Sequence, residues 1–246
     1  DCAIFADTGW EPKGVYEHLN WLELVVSNPL RVEHPFPIYR VSAGNIRADL
    51  LTATSEENKR AASAPFFTEG GGVGHRQCTR EYKVEPIRKK CRDLLGLKYR
   101  QRAPKKVAIK MWIGISTDEA MRMKPSRDAW IENIWPLIDA EMSRFDCIAW
   151  FERNYPGAVL AKSACIGCPY HSDAAWRDMK INDPESFADA VEFDAGIRSR
   201  GTIGSMREKQ YLHRSCKPLS EVDFRNLEDL GQLNMFNEEC EGMCGI

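Results

Sequence analysis

The chain lacks any apolar run long enough to span a bilayer, and its opening residues do not read as a secretory leader. No membrane partner and a cytoplasmic location are the expectation. An excess of one charge is also missing: 34 Lys and Arg against 36 Asp and Glu leave a net charge of −2. A global polycation is thereby excluded. Any nucleic-acid contact must come from local patches such as Arg76–Arg92 or Arg100–Lys110. Internal repeats and low-complexity runs are absent too, which excludes a repeat architecture. Cysteine, by contrast, is plentiful. Nine cysteines in 246 residues is an odd number in a chain too long to need disulfide staples. Metal or redox use is the expectation, not a secreted disulfide scaffold.

Two of those thiols are close in sequence, in Lys162-Ser-Ala-Cys165-Ile-Gly-Cys168-Pro169-Tyr-His171. A C-x-x-C spacing lets both sulfurs turn toward one point, with Gly167 and Pro169 shaping the turn. A metal ion, an iron–sulfur cluster or a dithiol pair can use it, and buried thiols that merely pack are the plainer reading. Cys216, Cys240 and Cys244 lie downstream. Cys165, Cys168 and Cys216 make three candidate ligands, with Cys240, Cys244 or Cys78 as the fourth. His213 reads as a hydrogen-bonded structural histidine.

The first half reads as α/β. Cys2–Ala6 is a short apolar run typical of a buried parallel strand, and Asp7-Thr8-Gly9 ends it where such folds place ligands. A helix is expected from Pro12 to Ser27, with Val15, His18, Leu19, Leu22 and Val26 on one face. A second strand, Ile38–Ser42, ends in Ser42-Ala43-Gly44 and leads into a helix over Asn45–Lys59. Glu69–Gly74 is a glycine-rich loop able to cradle phosphate. Arg76–Pro86 leads into a helix over Ile87–Leu95, with Thr79, Arg80 and Lys83 projecting toward an anion or a nearby carboxylate such as Glu81 or Glu85. Val107–Ile115 is the most strand-like run. Asp118 and Glu119 cap the next helix, and Arg122 can reach a phosphate. Asn133–Ile138 and Ser143–Tyr155 read as helices, with Trp135, Trp150 and Phe151 in the core. Two further helices, Trp176–Asn182 and Pro184–Ser199, are expected in the second half. A chain opening directly on a strand suggests that a first βα unit is missing.

Phe5-Ala-Asp7-Thr8-Gly9, Cys78-Thr-Arg-Glu-Tyr-Lys83-Val-Glu-Pro86 and Trp112-Ile-Gly114-Ile-Ser-Thr-Asp118-Glu119-Ala-Met-Arg122 together resemble, in order and spacing, three motifs of the phosphoadenosine phosphosulfate (PAPS) reductase family. The chain is similar in particular to a PAPS-reductase-like group common in phages and bacteria. It departs from the third motif at Ser116 and Ala120, and Arg122 comes one position early. The family's S-G-G-K-D-S-like phosphate loop is not present.

The resemblance implies an adenine nucleotide α-hydrolase-like, Rossmann-like fold: a doubly wound parallel sheet over 1–145, then a helical, cysteine-rich part over 146–246. It implies ATP or PAPS as ligand, with Asp7, Thr8 and Gly9 bordering the nucleotide and Arg80, Lys83 and Arg122 facing its anionic groups. Glu239-Cys240 resembles the nucleophile-bearing tail of sulfonucleotide reductases. Cys240 and Cys244 are therefore candidate catalytic thiols, alongside Lys83 as the charged partner. Cys244 is equally a candidate fourth ligand to Cys165, Cys168 and Cys216. The resemblance favours a 4Fe–4S cluster over zinc at these cysteines. The expected activity is sulfonucleotide reduction with a thioredoxin-like reductant, or ATP α-phosphate cleavage with sulfur or group transfer. A metal-stabilised nucleic-acid-binding module without catalysis is the alternative.

Overall fold

The computed structural model describes residues 1–52, 62–199 and 208–225. Cys240 and Cys244 lie outside the described residues. The chain divides into two compact units. The first joins 1–87 to 162–244, so the residues after the C-x-x-C motif pack with the N-terminal strand and not as a separate C-terminal part. The second is built from 88–161.

In the first unit, strand β1 (Ala3–Asp7) lies parallel to β2 (Ile38–Ser42), with Ala3 opposite Ile38 and Asp7 opposite Ser42. Helix α1 (Lys13–Val26) connects them, as its apolar spacing predicts: Val15, Leu19 and Val25 are buried. Pro12 precedes it, where its fixed φ and missing N–H cost nothing. The two strand-end turns are tied together. The Asn45 side chain donates to the Gly9 carbonyl (3.1 Å), and its Oδ1 accepts from Ala48 N–H (3.0 Å), capping α2 (Ile46–Thr52). Gly9 has φ +71° and a Cβ there would press on the Asn45 Cα at 3.2 Å, so this turn needs glycine. The rest of the helix expected over Asn45–Lys59 falls largely on residues outside the description.

A π-helical turn, Arg80–Val84, packs against β1 and runs into α3 (Glu85–Leu94). Strand β3 (Phe67–Thr68) pairs antiparallel with the much later Gln210–Tyr211. Helices α6 (Asp173–Asn182) and α7 (Pro184–Ser199) complete this unit. The core joins Trp10, Leu50, Phe66, Tyr82, Ile166, Trp176, Phe193 and Leu212. The buried face of α7 is Ser186, Ala190, Phe193, Asp194 and Ile197, while Phe187 and Val191, expected at its centre, pack at the margin. A fully buried carboxylate sits in that face. Asp194 accepts from Leu212 N–H and Leu219 N–H, each at 2.9 Å, and pairs with Arg198. Those donors are what make a charged group tolerable there.

In the second unit, β4 (Ile109–Trp112) lies parallel to β5 (Ile131–Ile134), with Ile109 opposite Ile131. The β5 strand falls partly where Asn133–Ile138 was expected to be helical; the helix, α4 (Pro136–Asp139), begins only at the proline. Helix α5 (Arg144–Asn154) starts with a capping box between Ser143 and Asp146. Trp150, expected in the core, is 47% exposed, and Trp112 is 74% exposed.

The architecture is thus mixed α/β with short parallel strand pairs. Among the described residues the strands form three separate two-stranded sheets, β1-β2, β4-β5 and β3 with Gln210–Tyr211, rather than one doubly wound sheet. Each expected run supplies only four or five residues to a parallel ladder. No described helix is long and apolar enough to cross a membrane.

Candidate functional site

The C-terminal end of β1 gathers the first unit's chemistry. Asp7 is used within its own turn: Oδ1 accepts from Gly9 N–H and from the Tyr16 hydroxyl, both at 2.8 Å. Burial, then that carboxylate, push the Tyr16 hydroxyl up to about 12. Thr8 is fully buried and donates to Glu11 Oε1 at 2.9 Å. Glu11, a residue sequence reasoning did not single out, is 4% exposed, and its Oε2 is buried without a hydrogen-bond partner. A carboxylate in the strand-end turn was the only signal pointing to it, and its neighbour lies 154 residues away.

That neighbour is Cys165. Its thiol is 3.3 Å from Thr8 Oγ1 and 3.5 Å from Glu11 Oε1. The C-x-x-C turn is pinned here by the backbone: Ile166 N–H donates to the Trp10 carbonyl (2.9 Å), and Cys168 N–H to the Cys165 carbonyl (3.0 Å). Gly167 lies against the Trp10 indole, whose Nε1–H donates to Asp189 at 2.5 Å. His171 Nε2 is 2.9 Å from the Cys165 carbonyl, and the His171 ring meets Trp176 edge-on. Burial lowers the His171 pKa, favouring the neutral ring, whose Nε2–H then donates to that carbonyl. Trp176 is fully buried, and its Nε1–H has no hydrogen-bond partner.

Burial, then the Glu11 charge, push the Cys165 thiol up to about 12, with Lys83 and Thr8 opposing. Burial also raises Cys78, against the charges of Arg76 and Lys83. Lys83 therefore lies within electrostatic reach of both thiols, and Cys78 within reach of Cys165. Thiols held protonated this way are poor nucleophiles, but a bound metal ion would displace their protons.

The remaining expected residues are scattered. Arg80 is exposed and spends its charge on Glu85 at 2.9 Å. Arg122 belongs to the second unit and pairs with Glu119. Asp118 accepts from Arg144 N–H at 2.5 Å, capping α5 rather than the turn next to it in sequence. Cys216 has φ +51° and its thiol donates to the Thr68 carbonyl at 3.3 Å. Burial, then Glu69, raise its pKa, and neither Cys165 nor Cys78 acts on it. His213 is structural: Ser215 N–H donates to its Nδ1 (3.2 Å), so Nε2 carries the proton and donates to Asp173 at 2.9 Å.

The glycine loop consumes its own amides. Gly71 N–H donates to the Thr68 carbonyl, Gly72 N–H to Thr68 Oγ1, Gly74 N–H to the Phe66 carbonyl, and Gly70 N–H to a Glu208 carboxylate oxygen. A loop so closed, with a carboxylate at its tip, is not a phosphate cradle. Among the described residues no three His, Cys, Asp or Glu side chains form a group able to hold a metal ion as they stand. The donor chemistry at Cys165 nonetheless suits a thiophilic metal: buried soft donors, a carboxylate oxygen without a partner, and a C-x-x-C turn held in place.

The fold and this cluster define a mixed α/β protein with a buried thiol–carboxylate site at the end of a parallel strand. Comparison with known proteins adds nothing to that class: no family model, no curated protein and no solved structure matches the chain.

Proposed function

We propose that the chain is a PAPS-reductase-like enzyme that acts on an adenine nucleotide, ATP or PAPS, and uses a thiolate-bound metal centre, a 4Fe–4S cluster in preference to zinc. The observation that carries this reading is the convergence of Thr8, Glu11, Lys83 and Cys165 around the C-terminal end of β1. Ligands of parallel α/β folds bind at such strand ends. Lys83 supplies the cation for an anionic ligand there. The Gly9 turn lets the backbone come close, while Thr8 and Asp7 hold the turn.

ATP–pyrophosphate exchange set against sulfite release from PAPS with a thioredoxin-like reductant tests the reading on anaerobically purified protein. Exchange without sulfite assigns ATP α-phosphate cleavage with group transfer. Sulfite without exchange assigns sulfonucleotide reduction. Neither activity, with salt-dependent DNA binding in its place, replaces the enzyme by a metal-stabilised nucleic-acid-binding module.

A further inference from the structure

The metal reading leaves its ligands to be assigned, and the fold groups the thiols differently from their order in the sequence. Cys78 lies just before the π-helical turn that packs on β1. It touches the same core cluster that contains Ile166, the residue between Cys165 and Gly167 in the C-x-x-C turn. At the end of β1, Cys165 meets Glu11 at 3.5 Å, and Glu11 keeps a buried oxygen without a partner. Cys216 stands elsewhere, bonded to the Thr68 carbonyl beside β3.

We propose that Cys78, not Cys216, joins Cys165 and Cys168 as a thiolate ligand of the metal centre, with Glu11 as the neighbouring carboxylate donor. This rests on the metal-centre reading above. The site closes by movement of the Cys78 and Cys168 side chains toward the Cys165–Glu11 contact. Each thiol gives up its proton as the metal binds, and the metal charge replaces the compensation that Lys83 alone supplies. Thiolates with one carboxylate select zinc or iron over magnesium.

The test is a titration of metal-stripped, reduced full chain with Co²⁺. It is read by thiolate-to-cobalt charge-transfer absorption and by the rate at which iodoacetamide labels each cysteine. In the wild type, Co²⁺ should slow labelling of Cys78, Cys165 and Cys168 and leave Cys216 unchanged. Cys78→Ser should lose about a third of the charge-transfer intensity, one thiolate of three. It should also weaken Co²⁺ binding by roughly tenfold or more, while Cys216→Ser matches the wild type. Protection of Cys216 with Cys78 still labelled overturns the assignment while leaving the metal centre standing. Absence of any Co²⁺ binding by the wild type, with no iron or zinc in the protein as purified, overturns the metal reading and this assignment together. The labelling arm uses only the wild-type chain, so it holds even if Cys78→Ser fails to fold.

Discussion

Gly167 sits flush against the indole of Trp10, so that a Cβ at position 167 would drive into the ring. This one contact joins the C-x-x-C turn to the end of β1. It also explains why a glycine separates Ile166 from Cys168. Trp10 is held from its far side by the hydrogen bond to Asp189, so the ring has little room to yield.

Gly167→Ala should therefore destabilise the protein by about 1–3 kcal/mol, the range for overpacking a dense core. Chemical denaturation measures it. Gly14, in α1, is the control, because a Cβ there meets nothing within 4 Å. Gly14→Ala should stabilise by roughly 0.5–1 kcal/mol through helix propensity. Equal effects at the two positions would contradict the packing seen at Trp10.

Asp194 fastens the segment around Leu212 and Leu219 to α7. Asp194→Ala leaves two buried amides and the Arg198 charge without their acceptor, and should cost about 3–5 kcal/mol. Asp194→Asn keeps one acceptor oxygen and should cost less. Urea unfolding of the pair reads the difference, and a neutral alanine variant would deny the carboxylate this role.

Much of the first unit is legible in sequence, because local pattern and burial agree there. The Cys2–Ala6 run and the period of α1 point to elements that form. The second unit is less readable. Ile131-Glu-Asn-Ile134 is a polar-centred strand just ahead of a proline, and short apolar-flanked runs of that kind carry no decisive period. The site was half legible. Asp7-Thr8-Gly9, Lys83 and Cys165 stand out as motifs, but what unites them is a contact across 157 residues between Thr8 and Cys165. No local pattern encodes that, nor the use of Arg80 and Arg122 in ion pairs close by in the chain.

That difference in pairing separates the two candidate anion-binding residues of the first unit. Lys83→Ala should reduce nucleotide turnover by roughly tenfold or more if its charge stabilises an anionic transition state. Arg80→Ala, which removes only an exposed pair with Glu85, should stay within about twofold. Steady-state kinetics on both variants, with circular dichroism as a folding control, decides it. An Arg80 loss larger than that of Lys83 would reverse the roles.

Acid should loosen the α6 start. Burial pushes the Asp173 carboxyl up, but hydrogen bonds from His213 and Arg214 outweigh it and hold the folded pKa below the ordinary value. A lowered folded pKa adds stability above the unfolded carboxylate pKa, near about 4, and that stability fades as pH falls below it. The stability gap between wild type and Asp173→Asn should therefore be open at neutral pH and close in acid. A gap that widens as pH falls would refute the sign.

The site at the end of β1 is most directly tested by iron, sulfide and zinc analysis of the anaerobically purified full chain, beside Cys165→Ala. The account predicts about four irons and as many sulfides per chain, absorbing broadly in the visible, and their loss in the variant. About one zinc, equally lost, would keep the site and change its metal. A wild-type chain free of both metals, or a Cys165→Ala variant that keeps its full complement, would contradict it.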